Sequence, residues 1–507
     1  MSDNSRTKQS AKNMTLGFLS QFVTLVLSFV SRTVFIRFLG AEYLGINSVF
    51  SDVLNLLSMA DLGFNTAMAY SFYKPLATKD EKKLSALITF YSNVYRVIAV
   101  SITVIGVALV PFLRYIVKTE KDIPNLEIYY LFSLAGVVIS YLFVYKTTIL
   151  TADQRDYELT SINIFTNTGK TILQIISLIL WHNYILYLLI GIIMQLIRNL
   201  IATRKAEKHY PYIKNKEPLD KDEKKEIYKN MRSVFIYKIS NTLFTGTDNI
   251  IISSIVGITI VGYYSNYLML SKKLLLVIQI VFSALTASVG NVIAKENPQK
   301  RYEVFNSIQS LAFTVSGVIT CGFLLVVNDF ITVWLGSEFV LDFPTVIAIT
   351  LNTYFSCILL PLWVYRDATG LYMKTKYISF AGAVLNIVLS IVLGLWLGLA
   401  GILFATVIAQ LSSYFVYEPV VLFKDFFEKK ATEYYIAIAK NLSIAVVTSL
   451  VLGYILRFFT VTNWISLIIE IIFVGLVVAL VYIFFYRKTE GFKMLSNKVL
   501  RFFKKNK

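Results

Sequence analysis

Residues 232–290 read RSVFIYKISNTLFTGTDNIIISSIVGITIVGYYSNYLMLSKKLLLVIQIVFSALTASVG. The stretch is long enough for two membrane-spanning helices joined at Gly257–Gly262, and only helices or closed barrels can span lipid. Its apolar runs are continuous rather than alternating, which selects helices. Asp248 falls inside the first helix, and Lys272 and Lys273 fall inside the second. A charge at the bilayer centre costs about 2.5–3.5 kcal/mol on insertion scales. Three in one hairpin predict a polar cavity for them to face.

The rest of the chain extends this reading. Of 507 residues, 56% are hydrophobic and 16% charged, and the mean hydropathy is +0.63. That composition excludes a soluble domain and predicts an all-α polytopic membrane protein. The formal net charge of +18 would suggest nucleic acid in a soluble chain. In a membrane protein, excess Lys and Arg mark cytoplasmic loops, and no nucleic-acid partner is expected. Cys321 and Cys357 both lie in apolar runs, so no disulfide framework is predicted. His182 and His209 lack neighbours at metal-ligand spacing, so no metal site is predicted. Polar residues 1–12 lead into an apolar run from Leu16. That run is too long for a signal-peptide core and is read as a retained first helix.

Candidate spans are 13–38, 45–70, 85–110, 126–150, 159–180, 184–203, 232–257, 261–290, 303–327, 344–365, 377–396, 399–421, 435–457 and 464–486, about 14 transmembrane helices of the ~20 residues a bilayer requires. With the N-terminus inside, the inner loops collect Lys74, Lys79, Lys82, Lys83, Arg155, the run Arg204–Lys229, Lys295, Lys300, Arg301, Lys374, Lys376, Lys424, Lys429, Lys430 and the tail from Arg487. The outer loops hold Arg114, Lys118, Lys121 and Arg457, while 328–343 has Asp329, Glu338 and Asp342 with no Lys or Arg. The asymmetry predicts both termini cytoplasmic.

The longest polar segment, 204–231, divides six spans from eight. FLGAEYLG (38–45) follows the first span and IVGITIVG (255–262) follows the seventh, each with two glycines five apart, at a spacing of 217 residues. Their matching places predict two six-helix lobes related by duplication. The expected organisation is an N-terminal lobe 1–203, a cytoplasmic linker 204–231, a C-terminal lobe 232–421, and residues 422–507 as two further helices with a basic tail.

At 1.5 Å per residue, Arg32 lies about 9 Å, Asp248 about 13 Å and Lys272 about 17 Å inside their spans. Lys170 is near the middle of the fifth span, Asp61 in the inner part of the second, and Lys238 near the inner mouth of the seventh. This ladder of mostly positive charge suits a diphosphate. Simpler accounts exist for several of these groups. Snorkelling to headgroups explains Lys238, Arg37, Lys146 and Arg366 near span ends. Asp248 and Lys272 could neutralise each other, and Asp61 could cap a break before Leu62–Gly63. Lys272 and Lys273 are about 100° apart on a helix, so both cannot point the same way. Gly169-Lys170-Thr171 imitates the end of a phosphate loop, but Ile164 stands where that motif needs glycine. GLWLG (394–398) reads as helix packing.

SRTVFIRFLGAEYLGINSVFSDVLNLLSMADLGFNTAMAYSFYKPLA (31–77), TDNIIISSIVGITIVGYYSNY (247–267), WLG (334–336), VYRDATGLYMKTKY (364–377) and AGILFATVIAQL (400–411) resemble the polysaccharide transporters of Gram-positive bacteria. These belong to the superfamily of O-antigen flippases, the lipid II flippase and multidrug and toxin extrusion antiporters. The resemblance implies two six-helix lobes around a central cavity with alternating access. In similar flippases, basic residues on helices one and eight receive the lipid pyrophosphate. The matching places here are Arg32 and Lys272 or Lys273; the depth of the charges adds Lys170 and Lys238 as further cavity cations. Asp61 and Asp248 are candidates for ion coupling or charge pairing. The implied substrate is an undecaprenyl-diphosphate-linked oligosaccharide for capsular, exopolysaccharide or other surface polymers. The implied place is the bacterial cytoplasmic membrane, beside membrane lipids, a polysaccharide polymerase and glycosyltransferases. No cofactor is expected beyond a coupling ion, H⁺ or Na⁺. Two alternatives remain: a cation-coupled multidrug antiporter on the same fold, which predicts an acidic cavity, and a membrane glycosyltransferase or polymerase. The short outer loops leave the latter no room for a catalytic domain.

Overall fold

The computed structural model describes residues 23–61, 64–119, 123–283 and 285–493. Among these, every regular element is helical. In chain order the helices are α1 (23–39), α2 (Ala41–Leu57), α3 (Phe64–Thr78), α4 (Glu81–Ala108), the single turn α5 (Leu113–Ile116), α6 (Leu126–Tyr141), α7 (Val144–Ala152), α8 (Asp156–Trp181), α9 (Tyr184–His209) and α10 (Lys221–Gly246). They continue as α11 (Asp248–Ile255), α12 (Ile258–Ser283), α13 (Thr286–Lys295), α14 (Pro298–Leu335), α15 (Phe343–Ile358), α16 (Leu360–Thr369), α17 (Tyr372–Leu411), α18 (Tyr414–Leu422), α19 (Thr432–Leu456) and α20 (Trp464–Tyr486). Among the described residues, seven helices are long and apolar enough to cross a membrane, or nine if two bent pairs each form one span.

Several expected spans are interrupted. The second breaks at a 3₁₀ turn, Ser58–Asp61, and the seventh at Thr247. The fourth bends by 50° between α6 and α7, and the tenth by 43° between α15 and α16. The eleventh and twelfth share α17, broken at Gly398, whose φ of 62° and ψ of −138° suit glycine. Where ends are sharp, side chains cap them. Asp80, Asn183 and Asn297 accept from the backbone N–H groups of Lys83, Leu186 and Lys300. Asn463 and Ser466 form a capping box at α20.

The described residues form two compact units, one ending at Gly262 and the other beginning at Tyr263. In the first, α8 and α9 form an antiparallel hairpin, and α6 packs along α9 and α4. Lys118 secures the turn before α12: its Nζ donates to the carbonyl of Ile255 (3.0 Å), and its own carbonyl accepts from Ile258 N (2.9 Å). The two glycine motifs meet here. A Cβ on Gly45 would collide with the carbonyl oxygen of Ile258, and one on Gly262 would collide with that of Ala41. Adding 217 to Ala41 and Gly45 gives Ile258 and Gly262, so the same shift exchanges the two contacts.

In the second unit, α14 is the spine, flanked by α15, α19 and α20. An aromatic core gathers Phe305, Tyr365, Phe423, Phe427 and Tyr434 near its Pro298 half. Large apolar side chains remain exposed on other faces, such as Leu395 at 73% and Leu450 at 69%. In a polytopic protein these faces meet lipid. Helix α14 runs on to Leu335, so Asp329 lies inside a helix rather than in the loop 328–343 expected from hydropathy.

Candidate functional site

The first unit carries a polar seam along the α8–α9 hairpin. On α9, positions 187, 198, 205 and 209 recur at intervals of 11, 7 and 4, which keeps Tyr187, Arg198, Lys205 and His209 on one face. Helix α8 answers each of them. Gln174 Nε2 donates to the carbonyl of Tyr187 (2.9 Å). Arg198 Nε donates to Asn163 Oδ1 (2.5 Å) and Nη1 to Gln195 Oε1 (3.4 Å). Glu158 Oε2 lies 3.1 Å from His209 Nε2 and 3.4 Å from Lys205 Nζ, while its Oε1 accepts from Arg155 (3.1 Å). A second ion pair closes this end, Lys146 with Glu207 at 2.7 Å. Just beyond α9, Tyr210 donates to Asp153 (2.6 Å). Burial and that carboxylate push its phenol above the usual range.

Two of the expected cations belong to this seam. Half-buried Lys170 is within electrostatic reach of Arg198. Arg32 on α1 is within electrostatic reach of Tyr187. The ring of Tyr187 stands 5.1 Å from Phe35 and 5.9 Å from Tyr184. Tyr43 and Tyr129 extend this aromatic cluster. A cation near an aromatic cluster offers both groups that a phosphorylated sugar needs, charge for the phosphate and flat apolar surface for the ring.

The other expected residues lie elsewhere. Lys238 is half-buried on α10 in the first unit. Asp248 opens α11, where the partial positive charge of a helix N-terminus favours a carboxylate. Asp61 ends the 3₁₀ turn, and its side chain lies outside the described ones. Lys272 and Lys273 belong to the second unit on α12, the first exposed and the second half-buried.

Some intramembrane polar groups carry no signal in the sequence. Arg198 reads there as one more base near the end of a span, and only its register with Tyr187 distinguishes it. Asp52 on α2 accepts from Asn249 Nδ2 (2.8 Å), which ties α2 to α11. Two snorkelling assignments are corrected. Lys146 pairs with Glu207. The Arg366 side chain is 12% exposed and faces Glu418, fully buried on α18, at 3.5 Å. Thr375 also donates to Glu418 (3.3 Å).

Fold and site together define an all-helical, polytopic membrane protein with charged groups held inside its spans. The fold is shared with the lipid II flippase MurJ in an inward closed conformation, at 17% identity over 94% of this chain and 98% of that one, with a TM-score of 0.67. It is also shared with an inward-facing multidrug resistance MATE family transporter of the MOP superfamily, at 14% identity over 77% of this chain and 93% of that one, TM-score 0.58. An outward-facing transporter of that family gives 13% identity over 81% and 94%, TM-score 0.54. No curated protein sequence matches the chain. Residues 10–289, more than half of the chain, match the family of polysaccharide biosynthesis proteins (Polysacc_synt), and the chain belongs to that family. The matched folds are those of a flippase and of transporters, not of enzymes.

Proposed function

We propose that this protein is a flippase that moves an undecaprenyl-diphosphate-linked oligosaccharide from the cytoplasmic to the outer leaflet of the bacterial cytoplasmic membrane, by alternating access. The reading rests on Lys170 and Arg198 along one seam, with Arg32 within electrostatic reach of Tyr187 further along it, in a chain of the polysaccharide biosynthesis family. A diphosphate headgroup is too polar to cross lipid unaided. Cations held within the spans replace part of its hydration, and the aromatic cluster receives sugar. Lys238 on α10 and the Lys272–Lys273 pair on α12 are further candidates to receive the phosphates. Asp61 and Asp248 are candidates for the coupling ion. A membrane potential negative inside favours outward movement of an anion by about 2.3 kcal/mol per charge per 100 mV. The product serves capsular, exopolysaccharide or other surface-polymer assembly, with glycosyltransferases before the step and a polymerase after it.

The test is binding and transbilayer movement of an undecaprenyl-diphosphate-linked sugar by the full chain in proteoliposomes. Arg32→Ala and Arg198→Ala are each expected to weaken binding by about tenfold or more, the worth of one charge-assisted hydrogen bond. Normal movement by both variants would sink the assignment. Efflux of cationic dyes with no movement of the lipid-linked sugar would replace it with a drug antiporter.

A further inference from the structure

Helices α14 and α20 pack side by side in the second unit. Each carries one carboxyl six residues inside the same end of the pair: Asp329 before Leu335, and Glu470 after Trp464. At 1.5 Å per residue, both sit about 9 Å within their helices. The two side chains are within hydrogen-bonding reach of each other. Glu470 is 2% exposed, and its Oε2 has no hydrogen-bond partner among the described residues.

No cation relieves this pair among the described residues. Arg457 at the end of α19 is exposed, and no ion pair joins it or any other described base to either carboxyl. Asp342, ahead of α15, accepts from Thr345 (2.5 Å). Glu338 lies in the 3₁₀ turn Ser337–Phe339. Tyr267 on α12 donates to Asn328 (2.7 Å) and accepts from Leu341 N (3.0 Å). Cys321 lies two turns deeper on α14. The remaining charged groups around α14, including Arg301, Glu433 and Lys440, belong to its Pro298 half, where Tyr302 donates to Glu433.

An ionised carboxylate only accepts hydrogen bonds, so two facing carboxylates in an apolar bundle repel and leave each other unsatisfied. One proton converts one of them into a donor and closes the hydrogen bond. A hard metal cation would need about six oxygen ligands. Among the described residues, no group of three or more His, Cys, Asp or Glu is placed to hold a metal. We propose that Asp329 and Glu470 form a proton-binding site that holds a single exchangeable proton between α14 and α20. With the proton in place the two helices are joined. Its departure sets two negative charges against each other inside the membrane and loosens α20 from the spine. The site does not depend on which substrate the protein carries.

Infrared spectroscopy of the full-length protein in detergent, titrated in light and heavy water, tests this. At neutral pH the wild type is expected to show the C=O stretch of a protonated carboxyl. Asp329→Asn and Glu470→Gln are each expected to lose the equivalent of one such group, because an amide supplies the donor and leaves the partner ionised. A wild-type spectrum without that stretch, or either variant retaining the full signal, overturns the proposal. Loss of the stretch on adding sodium at constant pH also overturns it, by identifying a sodium site. If neither amide variant folds, the wild-type spectrum decides alone: a stretch that shifts in heavy water and bleaches at high pH supports the site, and any other behaviour overturns it.

Discussion

Arg366 and Glu418 show what a single charge costs inside the second unit. Glu418 is fully buried, and its Oε2 has no hydrogen-bond partner among the described residues, so Arg366 and Thr375 carry the satisfaction of the whole group. Removing one partner of a buried pair strands the other, at a cost of about 3–5 kcal/mol. Arg366→Ala is therefore expected to lower thermal stability in detergent sharply. Glu418→Gln is expected to cost less, because an amide keeps the bond to Thr375 and the Arg366 it leaves behind still has Asp367 at 3.3 Å. Equal losses in the two variants would show that stranding the buried carboxylate costs no more than stranding the guanidinium. Neither partner was legible from sequence. Distance from a span end is all that hydropathy offers, and by that measure Arg366 reads as a snorkelling residue. The same limit hid Arg198, whose role depends on its register with Asn163 across the hairpin. Arg32 and Lys170 were legible because an isolated cation deep in an apolar run is too costly to stand there without polar company.

At the scale of elements, the glycine motifs were visible as a weak repeat, and the structure gives them a reason. Each motif begins a helix at a glycine with positive φ, 88° at Gly40 and 135° at Gly257. Five residues on, each places a glycine against the other's backbone. Gly45→Ala and Gly262→Ala each set a methyl about where a carbonyl oxygen stands, and overpacking of this kind costs about 1–3 kcal/mol. Both variants are expected to melt lower than the wild type in detergent, while Gly475→Ala, with open space at its Cβ, is expected to be neutral. A neutral result at Gly45 and Gly262 would mean that the crossing relaxes freely. The breaks at Thr247 and between α6 and α7 were not legible. The bend between α6 and α7 carries neither proline nor glycine, the break at Thr247 has only Gly246 beside it, and hydropathy does not register a change of helix direction.

For the whole molecule, helical class and membrane residence follow from hydropathy alone, since a long apolar run can satisfy its backbone in lipid only as a helix. The arrangement of helices into compact units depends on packing faces that composition does not reveal. Sidedness is the natural test at this scale, because the charge asymmetry of the loops predicts which face is cytoplasmic. Cys321 and Cys357 are buried, so an added thiol reports cleanly. Glu338→Cys is expected to react with a membrane-impermeant maleimide in intact cells, and Lys300→Cys only after permeabilisation. The reverse pattern would invert the topology and the direction of transport with it.

The crossing at Gly45 and Gly262 has a mechanical corollary. Two bare α-carbons resting on two carbonyls leave no slack: any side chain on either would prise the backbones apart, so the two helix starts can lie this near each other only while both positions stay glycine. The spacing of the whole crossing was thus set when the two glycines were.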